Sequence, residues 1–163
     1  MSDPVTTPTP QFTDAAALEA LSEVARVAPR LRRNANFHRS ESEPANRLLN
    51  AIEPGSYIRP HRHLDPNKDE TMVVVRGSLG MLWFRDDGVV AGQALLSPGG
   101  NCVVNIPHGC WHTLVALESG TVFFEAKGGP YAPLASGEAA PWAPPEGDAA
   151  VAAYYGLLAA RFR

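Results

Sequence analysis

The sequence predicts an all-β domain, a sandwich or barrel of about eight short strands, with an amphipathic helix before it and a proline-rich wrap and short helix after it. Two observations predict the class. Between residues 46 and 127, runs rich in β-branched and aromatic residues recur at intervals of roughly eight to twelve residues. Turn signals separate them: Pro54-Gly55, Gly77-Ser78, Asp86-Asp87-Gly88, Pro98-Gly99-Gly100, Pro107-His108-Gly109 and Ser119-Gly120. No sustained helical stripe competes with this pattern. A third observation bears on function, since four of the five histidines fall between positions 61 and 112.

Residues 1–12 are rich in Pro and Thr with little to bury, and are expected to form a flexible arm. Residues 13–45 hold a helix and a connector. Thr13 is the expected N-cap and Asp14 a first-turn acid, Leu18, Leu21, Val24 and Ala25 recur at helical spacing, and Pro29 ends the helix. Arg30, Arg32 and Arg33 then form a basic cluster, read as a solvated connector pairing with nearby acids; as a functional feature it would grip a phosphate or carboxylate.

Residues 46–130 form the β domain. Its expected strands are RLLNAIE, SYIRPH, TMVVVRG, GMLWFRD, VVAGQALL, NCVVNI, HTLVAL and TVFFEAK, with Asp87-Gly88 the clearest hairpin turn. Residues 131–163 form the extension. Its prolines forbid regular structure up to Pro145, Tyr131 and Trp142 supply anchors, and Val151, Tyr155 and Leu158 mark a final helix.

Composition excludes several function classes. A formal charge of −3 and a pI near 5.9 argue against a nucleic-acid binder whose affinity rests on neutralising phosphates. No apolar run approaches the ~20 residues that cross a bilayer, and the first residues lack the pattern of a signal peptide. The expectation is a cytoplasmic protein with no membrane partner, its Cys102 and Cys110 reduced. There is no Gly-rich phosphate loop or dinucleotide fingerprint.

The chemistry is expected at His61-Arg62-His63, Glu70 and His112. Residues two apart on a strand share a face, so His61 and His63 project together. Glu70 and His112 open two other strands, and converging strand ends would give three imidazoles and a carboxylate. That set suits a borderline divalent cation with positions left for water or substrate.

Two motifs carry a resemblance to a known family. His61-x-His63 with downstream Glu70 and Gly77, followed by Pro107-x-Gly109-x-x-His112, resembles the cupin signature. The cupins are small jelly-roll barrels that commonly hold one divalent metal on three His and one Glu. The resemblance implies a cupin jelly-roll β-barrel here, with a metal such as Fe, Mn, Ni or Zn on His61, His63, Glu70 and His112. The gap between His63 and Glu70 is longer than the family's, so Asp65 and Asp69 stand as alternatives to Glu70, and Ala116 replaces an Asn the family often has. The phrases ARVAPRLRRNANFH, RLLNAIEPGSYIRPHRH, IPHGCWHTLVAL, FFEAKGGPY and WAPPEGD resemble more closely the WbuC-type cupin-fold metalloproteins, found among polysaccharide-related genes, and cover about three quarters of the chain.

Strand alternation adds Tyr57 and Arg59 to the inward face, making Arg59 the first substrate-contact candidate for an anionic group; the simpler alternative has Arg59 leaving the barrel and pairing outside. Glu125 and Lys127 share a face of TVFFEAK and are candidates for a general base or for holding an imidazole tautomer. The plainer expectation leaves them on solvent, with Val122, Phe124 and Ala126 filling the core. His38 and His108 are expected in loops, and Cys110 as a small buried hydrophobe. The leading function is a metal-dependent enzyme of isomerase, lyase or oxygenase type acting on a small polar or anionic, sugar-like molecule. The alternatives are a non-catalytic ligand or metal sensor, and a barrel serving mainly for homodimerisation.

Overall fold

The computed structural model describes residues 9–163; the first eight residues of the expected arm lie outside them. Helix α1 spans Ala15–Val27. Eight strands follow: β1 Arg32–Asn36, β2 Ala45–Ile52, β3 Glu70–Arg76, β4 Leu79–Phe84, β5 Val90–Leu96, β6 Val103–Ile106, β7 Trp111–Ala116 and β8 Thr121–Gly128. Helix α2, Val151–Ala159, runs into a 3-10 turn at Ala160–Phe162. Among the described residues, no helix is long and apolar enough to cross a membrane.

The strands form two antiparallel sheets, β1-β2-β8-β3-β6 and β5-β4-β7. Their inner faces meet in one core, where Ile52, Met72, Val74 and Phe123 pack on Leu79, Met81, Leu96 and Leu114. This is the expected mostly-β, jelly-roll-like architecture, built as two facing sheets rather than one continuous closed cylinder. Each sheet is also covered outside. Helix α1 lies on the larger sheet through Ala25, Leu49, Ala51 and Val122. The C-terminal extension covers the smaller one, where Ala140, Ala143 and Leu158 meet Leu82, Phe84, Trp111 and Val115.

Several local expectations are corrected. Asp14, not Thr13, caps α1, its carboxylate accepting the Ala17 amide at 2.9 Å. Val24 is left 47% exposed, while Ala25 turns inward as expected and Ser22 joins it. Ala28 is extended because Pro29 follows it, which stops the helix.

Two strand assignments change places. SYIRPH forms no ladder strand, since Pro60 has no amide to donate; the segment is held at His61, which exchanges hydrogen bonds with His112 at 3.0 and 2.9 Å, and at the Pro60 carbonyl, which accepts the Ala140 amide at 2.9 Å. The basic connector, in contrast, becomes edge strand β1, paired with β2 from Arg32↔Ile52 to Asn36↔Leu48. Part of the charge expectation holds there: Arg30 and Arg32 both pair with Glu146, the Arg30 contact at 2.6 Å.

Candidate metal centre

Three segments place the site. His61 is held beside β7 by its paired hydrogen bonds to His112. Glu70 opens β3 and is paired in register with Lys127 of β8, as Met72 is with Glu125. The long gap between His63 and Glu70 is absorbed by a turn, in which Asp65 accepts the Asn67 amide through its side chain and the Lys68 amide through its carbonyl, both at 2.9 Å. Asp65 and Asp69 therefore serve the loop; Asp69 binds the backbone amide and ring of His108 at 2.8 and 2.9 Å.

His61, His63 and Glu70 each offer a ligand atom within 4.8 Å of the others, a geometry that can hold a metal ion. Arg62 points the opposite way, its guanidinium 4.2 Å from the Trp111 ring centre and 3.2 Å from Asp86. Glu70 is 2% exposed. Its Oε1 receives His63 Nε2 at 3.1 Å and the Lys127 ammonium at 2.9 Å. Its Oε2 lies 3.0 Å from His112 Nε2, yet neither atom has a hydrogen-bond partner.

The backbone sets the imidazole tautomers. His61 Nδ1 lies 3.1 Å from the Arg59 carbonyl, and His112 Nδ1 lies 2.9 Å from the Cys110 carbonyl. A carbonyl only accepts, so each ring carries a proton on Nδ1 and presents Nε2 to the site. Burial and the neighbouring His112 push the His61 pKa down to about 3, so the ring is neutral at physiological pH. Burial alone would raise the Glu70 carboxyl, but His112, His63 and the Lys127 ammonium outweigh it and hold Glu70 well below the usual carboxylate range. The site thus gathers imidazole nitrogens and a carboxylate, a donor set that fits a divalent transition metal.

The cluster lies against a cavity of about 500 Å³ between the sheets, with Met72, Leu114 and Phe123 as apolar wall. Glu125 and Lys127 line this cavity rather than facing solvent. The reason is that β8 is covered on both sides: Val122 packs under α1, while Phe123 enters the core between the sheets. A chain of contacts runs from Asn50 to Glu125 at 2.9 Å, on to Lys127 at 2.8 Å, and then to Glu70. Burial lowers the Lys127 ammonium's proton affinity, but the flanking Glu125 and Glu70 outweigh it, so Lys127 stays charged.

Tyr57 and Arg59 are elsewhere. The Tyr57 hydroxyl donates to the Pro144 carbonyl at 2.8 Å, and Arg59 Nη2 to that of Ala140 at 2.6 Å. Without a ladder strand the alternation expectation lapses, and both side chains tie down the C-terminal extension. Cys110 and Cys102 are free thiols, and Cys110 packs on the core. Asn50 and Asn34 line the cavity without having been singled out in the sequence. Glu138 was missed too; it accepts the backbone amides of Leu64 and Ala135 at 2.7 and 2.6 Å and clasps the His63 loop to the extension.

The model of a family described as a domain of unknown function, DUF6016, matches residues 13–96, just over half of the chain. The chain belongs to the DUF6016 family. The matched span contains His61, His63 and Glu70 but stops short of His112. No curated protein matches this DUF6016 sequence. Similar solved structures include KdgF from Halomonas sp., at 20% identity and TM-score 0.49, over 63% of this chain and 82% of that one. A cupin superfamily protein from Desulfitobacterium hafniense DCB-2 is 10% identical with TM-score 0.48, over 60% and 76% of the two chains. An oxalate decarboxylase–formate complex from Lactobacillus farciminis is 19% identical with TM-score 0.44, over 55% of this chain and 25% of that chain. This DUF6016 chain thus spans about a quarter of the decarboxylase's length.

Proposed function

We propose that the chain is a metal-binding protein of the cupin type, which holds one divalent transition metal on His61, His63, Glu70 and His112 and binds or transforms a small polar or anionic molecule in the adjoining cavity. One observation carries the reading. Glu70 Oε2 and His112 Nε2 are buried 3.0 Å apart, with no hydrogen-bond partner. A cation shared between them satisfies both. His61 and His63 supply further donors at the same place.

A bound metal would act as a Lewis acid toward an oxygen of the ligand. The chain's own residues do the rest. The Arg59 and Cys110 carbonyls fix which imidazole nitrogen is free. Lys127 occupies Glu70 Oε1 beside His63 and leaves Oε2 toward His112, while Glu125 and Asn50 hold Lys127 in place. Met72, Leu114 and Phe123 limit water at the cavity wall. The finer likeness to the WbuC-type proteins, carried by the phrases quoted above, supports a sugar or sugar-acid ligand.

Elemental analysis of protein purified without chelator tests the reading. About one equivalent of transition metal per chain is expected, and a His61→Ala/His112→Ala double variant should lose it. Unchanged stoichiometry in a folded double variant would refute the ligand set.

A further inference from the structure

We propose that a polar trough opening beside the metal cavity, on the inner face of β1 and β2, is a subsite for an uncharged, hydroxyl-rich ligand such as a sugar ring. The proposal rests on the cavity being the ligand site, and it adds the chemical class of what enters.

The trough has a volume of about 290 Å³ and is lined by Asn34, Asn36, Asn46 and Tyr131. It shares Asn34 and Lys127 with the larger cavity, so one ligand can reach from one into the other. Strand register explains the gathering. Asn34 is paired with Asn50, Asn36 with Leu48, Leu48 with Glu125 and Asn46 with Lys127. Paired residues share a face, so these side chains stand on the face that carries Glu125 and Lys127.

The chemistry selects a neutral partner. Each carboxamide both donates and accepts without charge, which matches hydroxyl groups. The basic side chains on this lining are Lys127, already committed to Glu70 and Glu125 at 2.9 and 2.8 Å, and His38, whose Nδ1 meets the Arg47 backbone at 3.1 Å. Glu41 also lines the trough and disfavours a carboxylate or phosphate. Hydrogen-bonding capacity is left over. Asn46 is 3% exposed and its Oδ1 is buried without a partner. Asn34 Nδ2 donates to Asn36 Oδ1 at 2.6 Å, an arrangement that aligns the two amides side by side. Tyr131, 52% exposed, offers an aromatic face of the kind that packs against the C–H face of a sugar ring.

The test is a proton–nitrogen NMR titration that follows the Asn34, Asn36 and Asn46 side-chain amides. The probes are D-glucose, D-galactose, D-mannose and D-glucuronate, each added to chelator-treated and to metal-loaded protein. At least one neutral hexose should shift these signals saturably in the millimolar range. An Asn36→Ala/Asn46→Ala variant, checked for fold by circular dichroism, should bind it about tenfold more weakly, and Tyr131→Ala on the exposed rim should also weaken it. No saturable shift with any neutral hexose would overturn the proposal, as would glucuronate binding tighter than every hexose, or unchanged affinity in both variants. Metal content measured on the same samples separates the two readings. Hexose binding by a chain that takes up no metal would sink the metal centre and leave the subsite standing. A metal-loaded chain without hexose shifts would do the reverse.

Discussion

Glu70 Oε2 and His112 Nε2 face one another across 3.0 Å in the protein interior, and neither finds a hydrogen-bond partner. Each belongs to a residue only 2% exposed. A buried polar atom without a partner costs about 1–3 kcal/mol, and a cation shared by the pair removes that cost. Zinc added to metal-free protein should therefore raise the melting temperature. At a hundredfold excess over Kd the gain is about 2.7 kcal/mol. The gain should vanish in a folded His112→Ala variant, and an identical shift there would place zinc elsewhere.

Lys127 lies between two carboxylates, 2.9 Å from Glu70 and 2.8 Å from Glu125. Lys127→Met would leave two carboxylates facing each other in the cavity, and about 3 kcal/mol of stability should be lost. Adding Glu125→Gln to that variant removes one of the charges and should restore part of the loss. Chemical denaturation measures both steps; equal stability of wild type and Lys127→Met would show that the ion pairs contribute nothing.

Glu138 ties the His63 loop to the C-terminal extension through two backbone amides. Glu138→Ala should cost about 2–3 kcal/mol. The amides of Leu64 and Ala135 hold the Glu138 pKa below its ordinary 4.5. A depressed folded pKa means the clasp contributes fully above 4.5 and is lost as pH falls through the lower folded value. The stability gap between wild type and variant should thus be flat at neutral pH and close only in acid. A gap that closes between pH 6 and 8 would contradict this assignment.

Gly77 makes the corner between β3 and β4, one strand in each sheet, at φ +75°. A Cβ there would lie 2.8 Å from the Thr121 Cα, in backbone that side-chain rotation cannot move. Gly77→Ala combines left-handed strain with overpacking, and about 2–4 kcal/mol should be lost. Thermal melting checks this, and a neutral substitution would mean the corner is built differently.

Much of the fold was legible because turn chemistry is local: Gly77, Gly88, Gly109 and Gly120 all take positive φ at expected turns. The clustering of His61, His63 and Glu70 follows from a motif whose spacing is equally local. What stayed hidden depended on tertiary burial. The segment RRNAN carries no strand pattern because its inner residues Asn34 and Asn36 line the cavity and the polar trough rather than the core. Glu125 and Lys127 pointed to solvent by alternation, since a sequence does not reveal that a helix covers the apolar face of β8. Arg59 pointed inward only while Pro60 was read as part of a ladder strand. Glu138 gave no signal, because its partners are backbone amides 74 and three residues away.

The metal centre is tested most directly by diffraction from metal-loaded crystals, with data collected on both sides of the bound metal's absorption edge. One anomalous peak per chain is expected, coordinated by His61, His63, Glu70 and His112. A peak at other residues, or none from protein shown by elemental analysis to carry metal, would contradict the account.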